Sequence, residues 1–473
     1  MRAPLLTALI VLAGCSRAPA VEGPSQTTQA SAATAIDDAL PPDLRTRRTG
    51  EDWPHFLGPN RDGKSPEQGL NVDWPAAGPP ILWTMKLGTG YSAPTVSLGR
   101  LFHFHRVEDR AVLACLNAET GQPLWEFGYP TDYGDMYGYD NGPRTSPVVD
   151  GPRVYIFGPE GMLHCVSAAE GKLLWRVDTV ADFGVVGNFF GVGGTPIIEG
   201  DLLIAMIGGS PPNSPPISSG RVEGNGSGIV AFDKRTGEAR YKLTNELASY
   251  AGPTVATIDG RRWGFVFARG GLVGFDPGTG KVDFEFPWRA KILESVNASN
   301  PVVVRDEVFI SEAYSPTHGG CLLKVRPGGA DVVWSDADKG RRKSMQTHFN
   351  TPVHVGGFLY GSSARHSQDA ELRCIEWGTG RIRWSQPGLG WASLTYFDGH
   401  FACITEDGML RLIRANPERY EPRAEVLLRG VEGPLADQQL LKYPAWAAPV
   451  LAQGRLYVRG KDRLVCLELT KGQ

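Results

Sequence analysis

The side chains best suited to chemistry or recognition sit in a few stretches rich in Gly, Pro and Tyr. One run carries Tyr133, Asp135, Tyr137, Tyr139, Asp140 and Arg144 in close succession. Tyrosine buries area while keeping a polar handle, so such a run suits binding. Asn188, Phe189 and Phe190 form a second group. Further on come His318, then His348 and Asn350, then Arg365 and His366, and finally Trp391 and Trp446. Acid–base work would fall to His366 with Glu312, Asp135 or Asp140, provided the fold joined them. The carboxylates of 132–140 lack the D-x-[DN]-x-[DN]-G spacing of an EF-hand calcium loop. The histidines sit at no compact metal-ligand spacing. Neither a Gly-x-Ser-x-Gly elbow in a strand-to-helix setting nor a Cys-x-x-Cys-His haem motif occurs. The residue types favour a mixed aromatic, amide and cationic binding surface, with no catalytic residue and no metal site assigned.

What must position these residues is a repeat. At a period of about 50 residues the chain returns to a Pro-marked strand, a tight Gly turn, two strands, a second Gly turn and an aromatic strand. The units open at Pro94, Pro147, Pro196, Pro253, Pro301, Pro352 and Pro449, with Leu394 in place of one proline. They close on Trp125, Trp175, Tyr241, Phe284, Trp334 and Trp384. In the second unit the strands fall at 145–149, 153–157, 162–167 and 173–177. Proline cannot donate to a β-ladder, so it belongs where an innermost strand leaves one edge unpaired. Trp83 precedes the first unit and the last unit lacks a closing aromatic. The N-terminal strand is therefore expected to complete the C-terminal blade. The fold class that follows is all-β: an eight-bladed β-propeller of four-stranded antiparallel blades, spanning 51–473 and monomeric.

With 473 residues, 59 Gly, 36 Pro and a net charge of −3, the chain is large enough for this ring and turn-rich enough to build it. The charge excludes nucleic acid, which needs clustered Lys and Arg. Of seven cysteines, Cys115, Cys165, Cys321, Cys374 and Cys466 recur at or near the same third-strand position. Neighbouring sheets stand about 10 Å apart, too far for a disulfide. These thiols are expected to be reduced core residues standing in for Ala, and Cys403, on a second strand, has no obvious mate.

The first fifteen residues have an export character. Arg2 precedes an apolar stretch from Leu5 to Ala13, too short to span a bilayer. Leu12-Ala13-Gly14-Cys15 resembles the bacterial lipobox, which implies lipidation at Cys15. Residues 16–50 are rich in Ala, Ser, Thr and Pro without periodicity and read as a flexible tether.

The segments Ala114–Trp125, His164–Trp175 and Arg373–Trp384 resemble the repeats of the pyrroloquinoline quinone (PQQ) propeller family. Asp52–Gly63 and Asn141–Pro147 are similar to the branch grouped with BamB-like lipoproteins. That resemblance implies a non-catalytic scaffold for envelope proteins, lipid-anchored through Cys15 at the bacterial outer membrane and facing the periplasm. It brings no cofactor of its own. The alternative is a PQQ-dependent quinoprotein alcohol or sugar dehydrogenase, with PQQ and calcium. Such enzymes often carry adjacent cysteines, and this chain has no Cys-Cys pair.

In a meander the first-to-second and third-to-fourth turns share one face. Those turns are tight here, while the long loops at 128–143, 178–193, 207–227, 287–298, 313–320, 335–349, 363–370 and 428–445 share the other. That face is expected to bind the partner, and loop 207–227, dominated by Gly, Pro and Ser, is expected to be mobile.

Overall fold

The blades begin where the prolines place them. In the computed structural model, which describes residues 39–314 and 318–471, seven innermost strands start immediately after Pro94, Pro147, Pro196, Pro253, Pro301, Pro352 and Pro449. The eighth, Ala392–Phe397, contains Leu394. Eight separate four-stranded sheets result, each antiparallel throughout. In blade 2 the strands are Val148–Asp150, Arg153–Phe157, Met162–Ser167 and Leu173–Asp178, within a few residues of expectation. Ile81–Lys86 pairs with Arg463–Glu468, so the N-terminal strand becomes the outer strand of blade 8 and closes the ring.

The closing aromatics lock each blade to the next. The indole N–H of Trp125 donates to Ala168 O (3.2 Å), that of Trp175 to Lys234 O (3.1 Å) and that of Trp334 to Trp377 O (2.7 Å). Trp83 does the same across the closure, to Ala118 O (3.1 Å), and the Tyr241 hydroxyl donates to Pro277 O (2.6 Å). Each ring lies on a glycine of the neighbouring blade's turn. At Gly171, φ is +69° and an added Cβ would stand 2.5 Å from the Trp125 ring. Gly171→Ala is therefore expected to cost about 1–3 kcal/mol from backbone strain alone. A thermal melt with unchanged midpoint would refute this account of the interface.

Cys115, Cys165, Cys321, Cys374, Cys403 and Cys466 are all buried and unpaired. Cys115, Cys165, Cys374 and Cys466 stand directly opposite Trp125, Trp175, Trp384 and Trp83 in the ladders. A small side chain there leaves room for the indole. Cys321 is one residue out of this register, since Leu322 opposes Trp334.

Two expectations need correction. Residues 39–50, placed in the tether, lie along the tight-turn face. Leu44 N–H bonds Leu98 O (3.1 Å), Arg100 reaches Pro42 O (2.6 Å) and the Thr46 hydroxyl bonds Glu119 (2.6 Å). Side chains from distant turns hold this segment, so local periodicity does not reveal it. Loop 207–227, expected to be mobile, is docked: Ile217 is buried against Phe189, Ala290, Val296 and Tyr314. The Asn225 amide also ties the loop to Phe183 O and Ser210 O (both 2.9 Å). Cys15 and most of the tether lie outside the described residues.

Residues 51–69 do something the repeat does not ask for: they cross the tight-turn face under the central channel. Trp53 exchanges two 2.9 Å backbone bonds with Val96 of blade 1. Pro54 O accepts from Val149 N–H of blade 2, and Arg61 reaches Ile198 O of blade 3. On the far side Gly63 and Ser65 bond Tyr396 of blade 7, and Glu67 accepts from Gly454 N–H of blade 8. The segment is a floor across the axis.

Candidate functional site

Above that floor the channel widens into a cup of about 1020 Å³, open on the long-loop face. Phe56 and Leu57 of the crossing segment form its base. Small residues at the starts of the inner strands ring it, among them Ala93, Thr195, Ala298 and Ala448. The geometry follows from convergence: eight strands approaching one axis leave space only where side chains are small.

The upper wall is aromatic and comes from the loops between blades. His348 stacks on Trp391 (centroids 4.9 Å, 28°), Phe349 stands edge-on to Trp391 at 5.3 Å, and Trp446 lies 4.8 Å from Tyr91. Opposite, Tyr137 packs on Phe189 (6.1 Å) and Phe190 (5.5 Å), and Phe190 on Tyr250 (5.7 Å). The indole N–H groups of Trp391 and Trp446 are turned away to Ala364 O (3.1 Å) and Glu406 (3.2 Å). Both rings therefore offer carbon to the cavity. Tyr137, Tyr139 and Tyr443 are exposed at the mouth.

Three cations line the cup: Arg144, Arg365 and Lys461. Glu294 is its one lining carboxylate among the described residues. Arg144 is held by Asp135 at 2.7 Å, with the Asp135 side chain fully buried. Its guanidinium also lies between the Tyr91 and Phe190 rings, at 5.6 and 5.5 Å. Arg365 sits over the Tyr314 ring at 4.7 Å. Burial, with the Arg365 guanidinium adding to it, pushes the His348 imidazole down to about 4. Burial raises the Tyr314 phenol to about 12, against the pull of Arg365. At neutral pH His348 is a neutral, wedged ring and not a proton donor.

Of the residues singled out from sequence, Tyr137, Tyr139, Arg144, Phe189, Phe190, His348, Asn350, Arg365, His366, Trp391 and Trp446 all line the cup. Five do not. Asp135 is spent on Arg144 and on the Tyr137 N–H (2.8 Å), and Asp140 caps Gly142 N–H (2.7 Å). Tyr133 is partly buried behind the wall, and burial raises its phenol to about 12. Asn188 braces the loops through Ala248 O and Arg269. His318 packs on Trp288 at 5.0 Å. These five support the wall and do not present themselves at it.

The acid–base pairings are not assembled. The Glu312 carboxylate accepts the Tyr314 N–H (2.8 Å) and the His318 N–H, while His366 is exposed at the rim. No group of three or more His, Cys, Asp or Glu side chains is placed to hold a metal ion among the described residues. Sequence reasoning missed Tyr91, Tyr250, Tyr314, Glu294 and Lys461, each brought to the cup by a separate blade. For Tyr91 a signal existed, since it stands three residues before Pro94 at the channel mouth.

A family model described as the outer membrane protein assembly factor BamB matches residues 108–386, more than half of the chain. Among solved structures, BamB from Moraxella catarrhalis is similar with a TM-score of 0.55 at 13% identity. The match covers 83% of this chain and 98% of that one. The quinohemoprotein alcohol dehydrogenase from Comamonas testosteroni gives 0.57 at 12% identity, covering 89% and 81%. At such identities the likeness is one of fold. No curated protein sequence matches the chain.

Proposed function

The chain belongs to the family of the outer membrane protein assembly factor BamB, and from that premise we propose that it is a non-catalytic binding scaffold of the bacterial envelope. It engages its partner, an envelope protein or complex, through the long-loop face. The N-terminal motif ending at Cys15 fits lipid attachment at the outer membrane, with the ring in the periplasm. The observation that carries the reading is the asymmetry of the ring: one face is tight turns and a sealing segment, the other carries every long loop and the open aromatic cup. A rigid ring holds those loops in place, so little conformational entropy is lost on binding.

The quinoprotein alternative asks for a calcium ion beside PQQ. Arg144, Arg365 and the tryptophans would suit a planar carboxylate, but no carboxylate cluster for the metal is present among the described residues. The donor set does not fit the pair.

A photo-crosslinking residue at Tyr443, on the long-loop face, tests the scaffold reading against one at Asp398, in a tight turn. In cells, adducts with a defined envelope partner are expected from position 443 and not from 398. The reverse pattern, or equal adducts from both, would overturn it.

A further inference from the structure

We infer that the cup seats the end of an acidic glycan, holding one uronic-acid-type sugar by its carboxylate at Arg365 with its carbon face on the aromatic wall. The inference rests on the binding-scaffold reading of this face and names a ligand for it.

The first observation is the state of Arg365. Its guanidinium lies over Tyr314 and makes no hydrogen bond or ion pair with any described residue. Arg144, by contrast, is already neutralised by Asp135. A guanidinium offers five N–H donors in a planar fork that matches a carboxylate. Lys461 adds a second cation, and Glu294 supplies the one lining carboxylate among the described residues. The cup thus has a surplus of positive charge, and among the described residues Arg365 is its one guanidinium without a carboxylate partner.

The second observation is how polar and apolar groups are shared out. Trp391 and Trp446 present carbon, their N–H groups being bonded elsewhere. His366 and Gln368 are exposed beside Arg365, and the Tyr137, Tyr139 and Tyr443 hydroxyls stand at the mouth. These groups both donate and accept, as a ligand carrying many hydroxyls requires. A carboxylate, a carbon face and several hydroxyls on one small ring describe an acidic pyranose.

The third observation is the floor. Phe56 and Leu57 end the cavity, so it admits a chain end and not a chain passing through. A peptide docking by strand addition would need a long unpaired strand edge to pair with. The inner strands of blades 1, 2, 3, 5, 6 and 8 are three residues long and follow a proline, so they offer little ladder. A planar polycarboxylate would meet Glu294 and leave the mouth hydroxyls unmatched.

The test is calorimetric titration of the full chain with trigalacturonate and with its neutral counterpart, galactotriose. Trigalacturonate is expected to bind saturably and at least about tenfold more tightly, the scale of one charge-assisted hydrogen bond. Arg365→Gln should abolish that preference with an unchanged melting temperature, and Arg365→Lys should keep part of it. Equal binding of the two sugars, no binding of either, or preference for an aromatic tricarboxylate would each overturn the inference. Adducts at position 443 that persist alongside a failed titration would sink the glycan assignment alone and leave the scaffold standing.

Discussion

A chain beginning at residue 88 is expected not to form a soluble ring, and Trp83→Ala in the full chain is expected to lose about 3 kcal/mol or more. Both follow from how the circle is shut. Blade 8 takes three strands from the C-terminus and its outer strand, Ile81–Lys86, from the other end of the propeller. Without that strand the edge of Arg463–Glu468 is left unpaired, a template for aggregation. Trp83 also packs on Tyr457 (5.9 Å), covers Gly121 of blade 1 and donates to Ala118 O. Its loss removes the wedge that joins blade 8 to blade 1. The truncation deletes the sealing segment too, including the almost wholly buried Trp53. Size-exclusion chromatography and thermal melting would decide. A truncated protein that elutes as a monomer with a normal melting point would show the ring closes without this strand.

Acidification from pH 7 to pH 5 is expected to destabilise the protein by several kcal/mol, well before ordinary carboxylates titrate. Burial lowers His55 to about 3 and His105, His164, His348 and His354 to about 4, and holds His103 well below its ordinary value. Unfolded, each takes a proton near 6.5. Between 6.5 and about 4 the unfolded chain therefore binds more protons than the folded one, so stability falls as pH falls. Each such histidine contributes about 1.4 kcal/mol per pH unit. Burial raises Glu67, Glu160, Asp182, Glu246 and Glu406, which works in the opposite sense because these take up protons first in the fold. Six histidines outnumber the five carboxylates and begin to act at a higher pH. Urea midpoints measured from pH 8 to pH 5 should fall steadily. A flat or rising profile would mean the imidazoles are protonated in the folded state.

The ring was legible because its instructions are local and repeated. Pro147 before Val148–Asp150, the turn glycine at Gly171 and the indole at Trp175 recur at fixed offsets. The odd Trp83 was enough to predict closure. Much of the cup wall was legible too, since Trp391, Trp446, Phe190 and Arg365 stand in long loops that the meander sends to one face. What could not be read is whatever depends on contact between distant turns. Nothing in Asp52–Gly63 indicates that Pro54 meets Val149 or that Arg61 meets Ile198. Asp135 looked like a presented carboxylate, and only the folded loop shows Arg144 consuming it. Composition misjudged 207–227 because the buried Ile217 and the bonded Asn225 amide outweigh the glycines and prolines around them.

The crossing segment turns a conduit into a vessel with one doorway. Whatever enters above Phe56 and Leu57 must leave by the way it came. Two occupants cannot pass one another, so the last to arrive departs first. Residence time is then governed by the loops at the rim, and a bulky partner seated there would trap a small guest beneath it.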